Sequence, residues 1–362
     1  MKTKSKACML CFSFMLFSAC IPAVIPDPFK AEDINPPSVL AWGMETDTSI
    51  AITFTEAVFT EGHSFSIQNS DSTHDSATDL IVCTPVSAPD TSEGGTRLYL
   101  ESSKPCNPGE QYLLVGTVHD KYGNSLAFSL PCWGFNARIP TLLLSELLTE
   151  GTTTHPDIIE LYVKKSGNLA GCAVFVGTPG TYTFRYIFPP CNVLAGEFIL
   201  LHLKPQGLPD EIDETMDIAA SGGLDSSALA RDFWCKQETG SLSGKNGAVS
   251  VFSNPSGYCI DAVIYSERTS ESDANYRGFG TASLLAMVKE LFESGCWLMP
   301  DGIRPEAAAQ SAGTTSTRTI CRWSDERDTN RNTDWHIVPT KGSTLGTVNK
   351  DDIYNPSAKT LK

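Results

Sequence analysis

The sequence is poor in positive charge and contains few charged residues overall. Its 362 residues include 27 Lys and Arg against 42 Asp and Glu, a formal net charge of −15. A surface of this sign repels a phosphate backbone, and no basic patch offsets it, so no nucleic-acid partner is expected. The charged fraction of 19% accompanies a hydrophobic fraction of 41%, which excludes wholesale disorder.

Long hydrophobic runs are also missing beyond the first 20 residues. A membrane-spanning helix needs about 20 consecutive apolar residues, and no later segment provides them. The sequence instead has 28 Gly and 22 Pro, a composition typical of a loop-rich β protein. Its length predicts about two domains.

The N-terminus has the features of an export signal. Lysines at positions 2, 4 and 6 precede an apolar run over residues 7–17, which is too short to span a membrane. The junction Phe17-Ser18-Ala19-Cys20 resembles a bacterial lipobox, with Phe where Leu is more usual, as in the looser lipoboxes of some spirochaetes. The resemblance implies cleavage of residues 1–19 and lipidation of Cys20. An ordinary signal peptide beside an unrelated cysteine is the alternative.

Residues 20–37 contain five prolines and show no helical periodicity, which predicts a stiff tether. With a lipid on Cys20, the protein would lie on a bacterial membrane without crossing it, at the cell surface or at the periplasmic face. Residues 351–362 are assigned to a C-terminal tail.

Nine of the 12 cysteines lie beyond Cys20, in the part of the chain that is expected to fold. Export favours disulfides among them, but their odd number leaves at least one thiol free or available for an intermolecular bond. Free, buried thiols are the alternative. None of the nine belongs to a C-x-x-C pair, which argues against a zinc site or a thioredoxin-type site.

Short runs of alternating polarity fill residues 38–139, with turn residues between them. Three groups of apolar residues would each share one strand face: Ile50, Ile52 and Phe54; Phe65 and Ile67; Leu98 and Leu100. Three segments resemble the bacterial Ig-like domain of S-layer-type surface proteins: residues 52–58, 108–112 and 118–126. In that family the domain is a spacer or a binding module, so the resemblance implies a β-sandwich without catalytic activity.

A second series of strands is predicted within residues 140–350. We expect strands at residues 142–148, 158–163, 181–188, 197–203, 248–252 and 260–265. The order of the motifs resembles the lamin-tail domain, an Ig-like fold that also occurs in bacterial exported proteins. The segments that carry this resemblance are residues 144–146, 159–162, 168–171, 194–198, 242–251, 261–265, 327–330, 334–335 and 346–349.

The second region departs from the lamin-tail pattern in two ways. Cys172 and Leu345 stand where that family often has Trp and Pro, and insertions at about residues 204–231 and 268–318 lengthen the domain. The fold therefore carries over better than any binding surface. The second insertion is predicted to hold one helix, packed on its own sandwich, because five apolar residues have helical spacing: Leu284, Met287, Val288, Leu291 and Phe292. The predicted fold class is all-β, with two Ig-like β-sandwich domains in tandem.

The segment Ser221-Gly222-Gly223-Leu224-Asp225-Ser226-Ser227 resembles the phosphate-binding loop of ATP pyrophosphatases. Such a loop needs a buried strand before it and a helix after it, so that backbone amides and the helix dipole converge on the phosphates. Residues 210–217 include five acids, which would repel a triphosphate and cannot form a buried strand. We therefore expect a Gly/Ser loop inside the first insertion and no nucleotide site.

Four residues are weak candidates for calcium ligands, because their oxygens alternate along the chain: Asp325, Asp328, Asn330 and Asp334. Thr333 and Pro339 replace the Gly and Glu that an EF-hand loop needs, however. The lamin-tail resemblance implies that Asp328 and Asp334 are structural and cap turns. No bound metal is therefore predicted.

The six histidines are dispersed along the sequence and match no catalytic motif, and no cofactor or catalytic residue is predicted. The sequence thus favours a non-catalytic exported lipoprotein, a structural or adhesive module of the bacterial cell envelope. Its partners would be the membrane, through the lipid, and a protein of the envelope or of a host matrix. The alternative is an accessory protein of an envelope hydrolase or nuclease, because lamin-tail domains can accompany such enzymes.

Overall fold

The described part of the chain folds around two large hydrophobic cores. A computed structural model describes residues 33–70, 80–86, 95–236 and 240–357, so Cys20 and most of the predicted tether lie outside it. One core draws its residues from positions 50–132 and the other from positions 142–335. Each is enclosed by β-sheets, and the described residues contain one α-helix, which confirms the predicted all-β sandwich class. The domain boundaries stay predictions.

The first core lies inside one seven-stranded antiparallel sheet with the strand order β1-β2-β5-β4-β3-β6-β7. Its strands are β1 (Val39–Met44), β2 (Ser49–Phe54), β3 (Phe65–Asn69), β4 (Ile81–Val86), β5 (Arg97–Ser102), β6 (Gln111–His119) and β7 (Ser125–Trp133). The sheet curls until its two edges meet, where the indole N–H of Trp42 on β1 donates to the Pro131 carbonyl on β7 at 2.6 Å. The curled sheet therefore encloses its own core.

Alternation along these strands decides which side chains face that core. Ile50, Ile52 and Phe54 are at most 1% exposed, and Phe65 and Ile67 are also buried, as the period of two predicts. The pair on β5 confirms the same pattern. Burial of such apolar faces supplies most of the free energy that stabilises a sheet of this kind.

The second core lies between two sheets of different size. One has the order β15-β14-β9-β8-β19-β20 and the other has the order β12-β11-β16-β17-β18. The strands are β8 (Thr141–Leu148), β9 (Ile158–Lys165), β10 (Gly167–Asn168), β11 (Ala173–Thr178), β12 (Thr181–Ile187), β13 (Asn192–Val193), β14 (Phe198–His202), β15 (Arg231–Trp234), β16 (Asn246–Phe252), β17 (Cys259–Ser266), β18 (Ala309–Gln310), β19 (Ile320–Arg322) and β20 (Trp335–Ile337). The two-residue strands β10 and β13 pair with each other.

The helix α1 (Ala282–Glu293) forms where the apolar spacing predicts it. The Thr281 hydroxyl caps its start by accepting a hydrogen bond from the Leu284 N–H at 3.1 Å. Its buried side chains pack against β11, β12 and β16, so the helix covers its own sandwich as expected. The Glu290 carboxylate fixes this contact by accepting a hydrogen bond from the Thr178 hydroxyl at 2.6 Å. In the described part of the chain, no helix is long and apolar enough to cross a membrane.

The two sheet systems meet through two turns that the sequence motifs had marked. Gly109, in the first, and Gly171, in the second, approach so closely that a Cβ on either would overlap the backbone of the other. Beside them, the Asn136 side-chain amide donates to the carbonyls of Asn168 and Ala170, at 2.7 and 3.0 Å. Both glycines also have positive φ, so a side chain there is disfavoured twice.

All nine cysteines beyond Cys20 are free thiols in the structure. Seven are buried, and two are partly exposed: Cys259 at the start of β17 and Cys296 just after α1. The side chains of this pair are hydrogen-bonded to each other, and this bond lowers the pKa of Cys296 to about 7. Burial raises the pKa of the seven buried thiols, that of Cys83 to about 11.

We predict that Cys296 is the first thiol to react with iodoacetamide, because the thiolate is the nucleophile and this thiol is partly exposed. Its labelling rate, followed by mass spectrometry of the native protein, should rise with pH to a midpoint near 7. Cys259→Ala removes the hydrogen-bond donor and should move the midpoint upward. Equal labelling of the buried thiols, or an unchanged midpoint in the variant, would contradict the assignment.

Candidate functional site

The first insertion forms an irregular loop between two parallel strands. We call residues 204–230 the insertion loop; all of them are described, and they form neither helix nor strand. The loop leaves the sheet after β14 and returns to it at β15, which pairs in parallel with β14. A parallel neighbour requires a long crossover connection, and a helix usually provides it. Here the connection must satisfy its backbone amides in another way.

Glu211 and Glu214 satisfy many of those amides from inside the loop. The Glu211 carboxylate is fully buried and accepts hydrogen bonds from the N–H groups of three consecutive residues, at 2.7–3.0 Å: Gln206, Gly207 and Leu208. The Glu214 carboxylate is 1% exposed and accepts from the N–H groups of Ala220, Ser221 and Asp232, at 2.8–2.9 Å. The last of these belongs to β15, so Glu214 ties the loop to the sheet.

A second set of contacts holds the end of the loop against the same strands. His202 on β14 and Asp232 on β15 are buried and form a 2.8 Å hydrogen bond, and His202 stacks on Trp234 with ring centroids 3.9 Å apart. Asp232 also accepts a hydrogen bond from the Ser227 N–H at 2.8 Å. The indole N–H of Trp234 donates to the Ser221 hydroxyl at 2.8 Å. Both ends of the Gly/Ser motif are therefore bonded to the sheet or to the loop itself.

Much of the backbone of the Gly/Ser motif, residues 221–227, therefore faces the interior of the loop. The N–H groups of Ser221, Gly222 and Ser227 donate to Glu214, to the Asp210 carbonyl and to Asp232. A phosphate-binding loop would present such amides to its ligand at a helix N-terminus. In this Gly/Ser loop, the three amides donate to acceptors of the protein itself and not to a ligand.

The loop exposes apolar side chains while it buries acidic ones. Four of its apolar residues are well exposed: Met216 by 83%, Leu229 by 69%, Ile212 by 46% and Leu208 by 41%. Hydropathy would place these residues inside and the glutamates outside, so the arrangement is inverted. A loop that is held by internal hydrogen bonds and exposes apolar side chains offers a surface that another molecule can bind.

The four calcium candidates already have protein partners. Asp325 pairs with the Arg327 guanidinium at 2.8 Å, and Asp328 lies 3.4 Å from that of Arg322. Asp334 accepts hydrogen bonds from the N–H and hydroxyl of Thr329, both at 2.7 Å, and caps a short 3₁₀ turn. The remaining candidate, Asn330, has positive φ, and its carbonyl accepts from the Leu298 N–H. Within the described residues, the acidic group compact enough to hold an ion is a different one, Asp33, Glu56 and Asp120.

A pair of buried carboxylates lies elsewhere in the second sandwich. Glu146 on β8 and Glu160 on β9 are register partners, and both are 0% exposed. The Glu146 carboxylate accepts hydrogen bonds from the hydroxyls of Thr319, Ser343 and Thr344 at 2.6–2.7 Å. Glu160 accepts one from the Gly346 N–H, and its Oε1 has no hydrogen-bond partner in the described part of the chain.

The charged form of Glu160 is therefore poorly stabilised by its surroundings. Burial, and then the charge of Glu146, raise the pKa of Glu160 well above its ordinary value. The segment 343–346 covers both side chains, which makes the pair a structural tie to the C-terminal part of the chain. Perturbed carboxylates can mark active sites, but these two are closed off from solvent.

One comparison with known proteins covers most of the second sandwich. A family model described as "protein second domain" (TP_1001_2nd) matches residues 140–337. The chain belongs to this family. Among curated proteins, an uncharacterized protein of Treponema pallidum (strain Nichols) is 30% identical to this family member over 193 residues, covering 52% of this chain and 48% of the relative. The chain spans about half the length of that relative.

Two solved structures are distantly similar to this chain. The N-terminal part of the bacterial S-layer protein SbsC is 14% identical, covers 64% of this chain and 44% of its own, and has a TM-score of 0.24. A DUF4785 family protein from Legionella pneumophila is 8% identical, covers 63% of this chain and 55% of its own, and has a TM-score of 0.19. At these TM-scores the likenesses carry no argument about function.

Sequence reasoning missed the residues that shape this family member's insertion loop. In the sequence, the acidic run over residues 210–217 argues against a triphosphate ligand and against a buried strand, but it does not predict buried acids. The structure buries two of its five acids, Glu211 and Glu214. Since Ile212 and Met216 between and after them are exposed, no hydropathy signal could have identified the buried pair.

We predict that Glu160→Gln stabilises the protein at neutral pH. Because the folded-state pKa of Glu160 is raised, the folded protein keeps a proton that the unfolded chain loses, and stability falls as pH rises above the ordinary Glu pKa. The effect is at most about 1.4 kcal/mol per pH unit in that range. Glutamine carries no charge, so the melting temperature of the variant should match the wild type near pH 4 and exceed it by a growing margin towards pH 8.

Glu146→Gln is the matched control. It replaces an acceptor of several hydrogen bonds and should lower the melting temperature across the pH range. Thermal unfolding followed by circular dichroism at pH 4, 6 and 8 measures both variants. A Glu160→Gln effect that is independent of pH would refute the buried-charge explanation.

Proposed function

We propose that this protein is a non-catalytic module of the bacterial cell envelope that binds a protein partner through its insertion loop. One observation carries the proposal: the loop is held from within by buried carboxylates and exposes Met216 and Leu229. The hydrogen bonds that hold the loop do not themselves require apolar side chains in water. It gives a partner a preformed apolar surface.

The rigidity of the loop favours binding energetically. A flexible loop loses conformational entropy when a partner orders it, typically about 0.5–1.5 kcal/mol for each side chain that is immobilised. The hydrogen bonds of Glu211 and Glu214 set the backbone conformation in advance. More of the free energy of burying Met216 and Leu229 would then appear as affinity.

The charge of the loop points to the chemistry of the partner. Asp210 and Asp217 are exposed beside the apolar side chains, and the whole chain carries a net charge of −15. A complementary surface has an apolar recess bordered by lysine or arginine side chains, which would also speed the encounter. We therefore propose a protein partner of that kind in the envelope or in a host matrix.

The proposal includes export and lipid anchoring through Cys20. Its support is the sequence alone: the lysine-rich start, the short apolar run and the lipobox-like junction before residues 20–37. We also propose that residues 140–350 are related to the lamin-tail domain, and the support is again the sequence alone, namely the order of its motifs. In this view the N-terminal sheet is an Ig-like spacer between the lipid and the second sandwich.

The binding surface can be tested by photo-cross-linking on intact cells. A photoreactive amino acid at position 216 should yield one discrete cross-linked protein, and adding Leu229→Asp to the same chain should abolish it. The matched control is the same probe at position 122, because Tyr122 is 52% exposed but lies on the first sheet. Equal cross-linking from both positions, or none from position 216, would count against the insertion loop.

The anchor is tested separately with Cys20→Ala. We expect wild type to fractionate with membranes and the variant to be released, because a lipid is the proposed attachment and its cysteine is gone. Protease treatment of intact cells, compared with cells whose outer barrier has been opened, then distinguishes surface from periplasmic exposure. A variant that stays in the membrane fraction would disprove lipid anchoring at Cys20.

A further inference from the structure

Two histidines that are 56 residues apart in the sequence meet on the first sheet. His63 Nε2 and His119 Nδ1 are 3.1 Å apart, and the ring centroids are 5.2 Å apart. Both rings are partly exposed. The sequence showed dispersed histidines and gave no sign of this pair, since only the fold brings the two positions together.

The backbone fixes both members of the pair. The His63 N–H donates to the Thr60 carbonyl at 3.1 Å, which closes a tight turn. His119, at the end of β6, exchanges two backbone hydrogen bonds with Phe59, at 2.8 and 3.1 Å. The Phe59 ring also stacks on the His119 ring, with centroids 5.8 Å apart. The two imidazoles are therefore held in place by neighbours on one short segment, residues 59–63, and on β6.

The distance between the two nitrogens suits a shared metal ion. A neutral imidazole has one N–H and one lone pair, so one ring must donate the proton in the observed contact. If both rings turn their lone pairs inward, each keeps its proton on the outer nitrogen and a cation can take the place of the shared proton. Tetrahedral zinc with metal–nitrogen bonds of about 2.0–2.1 Å separates two ligand nitrogens by about 3.3–3.4 Å. The observed 3.1 Å is within a few tenths of an ångström of that value.

We propose that His63 and His119 form a binding site for a divalent late transition-metal ion of the zinc class. Imidazole nitrogens prefer such ions to Ca²⁺ or Mg²⁺, which take oxygen ligands. Because both rings reach solvent, water molecules can complete the coordination sphere. The bound ion joins the 59–63 segment to β6 and so stabilises that end of the sheet.

The acidic group Asp33, Glu56 and Asp120 is a competing location, because Asp120 follows His119 directly. The Asp120 carboxylate already accepts hydrogen bonds from the N–H groups of Tyr122 and Asn124, both at 2.8 Å. Its oxygens would suit a hard cation rather than a zinc-class ion. The two locations can therefore be separated by their metal preference and by substitution.

The test is a titration of the full, tag-free chain with ZnCl₂ at pH 7.5 by isothermal calorimetry, after its accessible thiols, including the pair at Cys259 and Cys296, have been blocked with iodoacetamide so that they cannot bind zinc. We expect one saturable site, weakened about tenfold or more by His63→Gln and by His119→Gln, because each removes one of two protein ligands. His155→Gln is the matched control, since His155 is exposed and is paired with Asp225 of the insertion loop in the second sandwich. It should bind zinc as wild type does, and excess CaCl₂ should not displace the ion.

A second measurement needs no substitution and so does not depend on the variants folding. Zinc should protect His63 and His119, but not His155, from modification by diethylpyrocarbonate, as read by mass spectrometry of the wild-type chain. Unchanged modification of the pair at saturating zinc would overturn the proposal. So would zinc binding that survives both histidine substitutions, is lost in Glu56→Gln, or is displaced by CaCl₂.

Discussion

The structure depends on buried carboxylates that accept hydrogen bonds from backbone N–H groups. Long irregular segments have no ladder or helix to satisfy their amides, and an unpaired buried amide costs about as much as a lost hydrogen bond. Glu211 and Glu214 fill this role in the insertion loop. Asp157, directly before β9, accepts hydrogen bonds from the N–H groups of Gly151 and Leu242. Asp261 on β17 accepts one from the Leu144 N–H on β8. Without these acceptors, the backbone N–H groups that they bind would lose their hydrogen-bond partners.

This constraint changes the meaning of the acidic composition. Several of the 42 acids lie in the interior as acceptors, so the net charge of −15 is not simply a property of the surface. Burying a carboxylate is unfavourable unless donors surround it, and Glu211 meets three consecutive N–H groups. Glu160 is the exception, because one of its oxygens lacks a donor within the described residues. Burial, and then the charge of Glu146, raise its pKa. In the insertion loop, acidic side chains occupy the interior positions that apolar side chains would usually take. Met216 and Leu229 therefore lie on the outside, where a partner can reach them.

Much of the fold could be predicted because its signals are local. Alternation at Ile50, Ile52 and Phe54 and helical spacing from Leu284 to Leu291 each describe one element and one face. The sequence did not predict β11, whose six residues are buried on both faces and so lack alternation, or the short strands β18 to β20. The candidate sites were missed for a different reason. Glu214 reaches the N–H of Asp232, and His63 meets His119, only through long-range folding that leaves no pattern in either segment.

The nine free thiols have a consequence for how the chain reaches its native state. Cys83, Cys106 and Cys132 lie in the first core and Cys172, Cys191 and Cys235 in the second, where they pack as small apolar side chains. Neither core relies on a covalent cross-link, so folding need not wait for an oxidase or for the slow reshuffling of wrong pairs. Oxidants acting on the folded protein would meet first the partly exposed pair at Cys259 and Cys296, because the other seven thiols are buried.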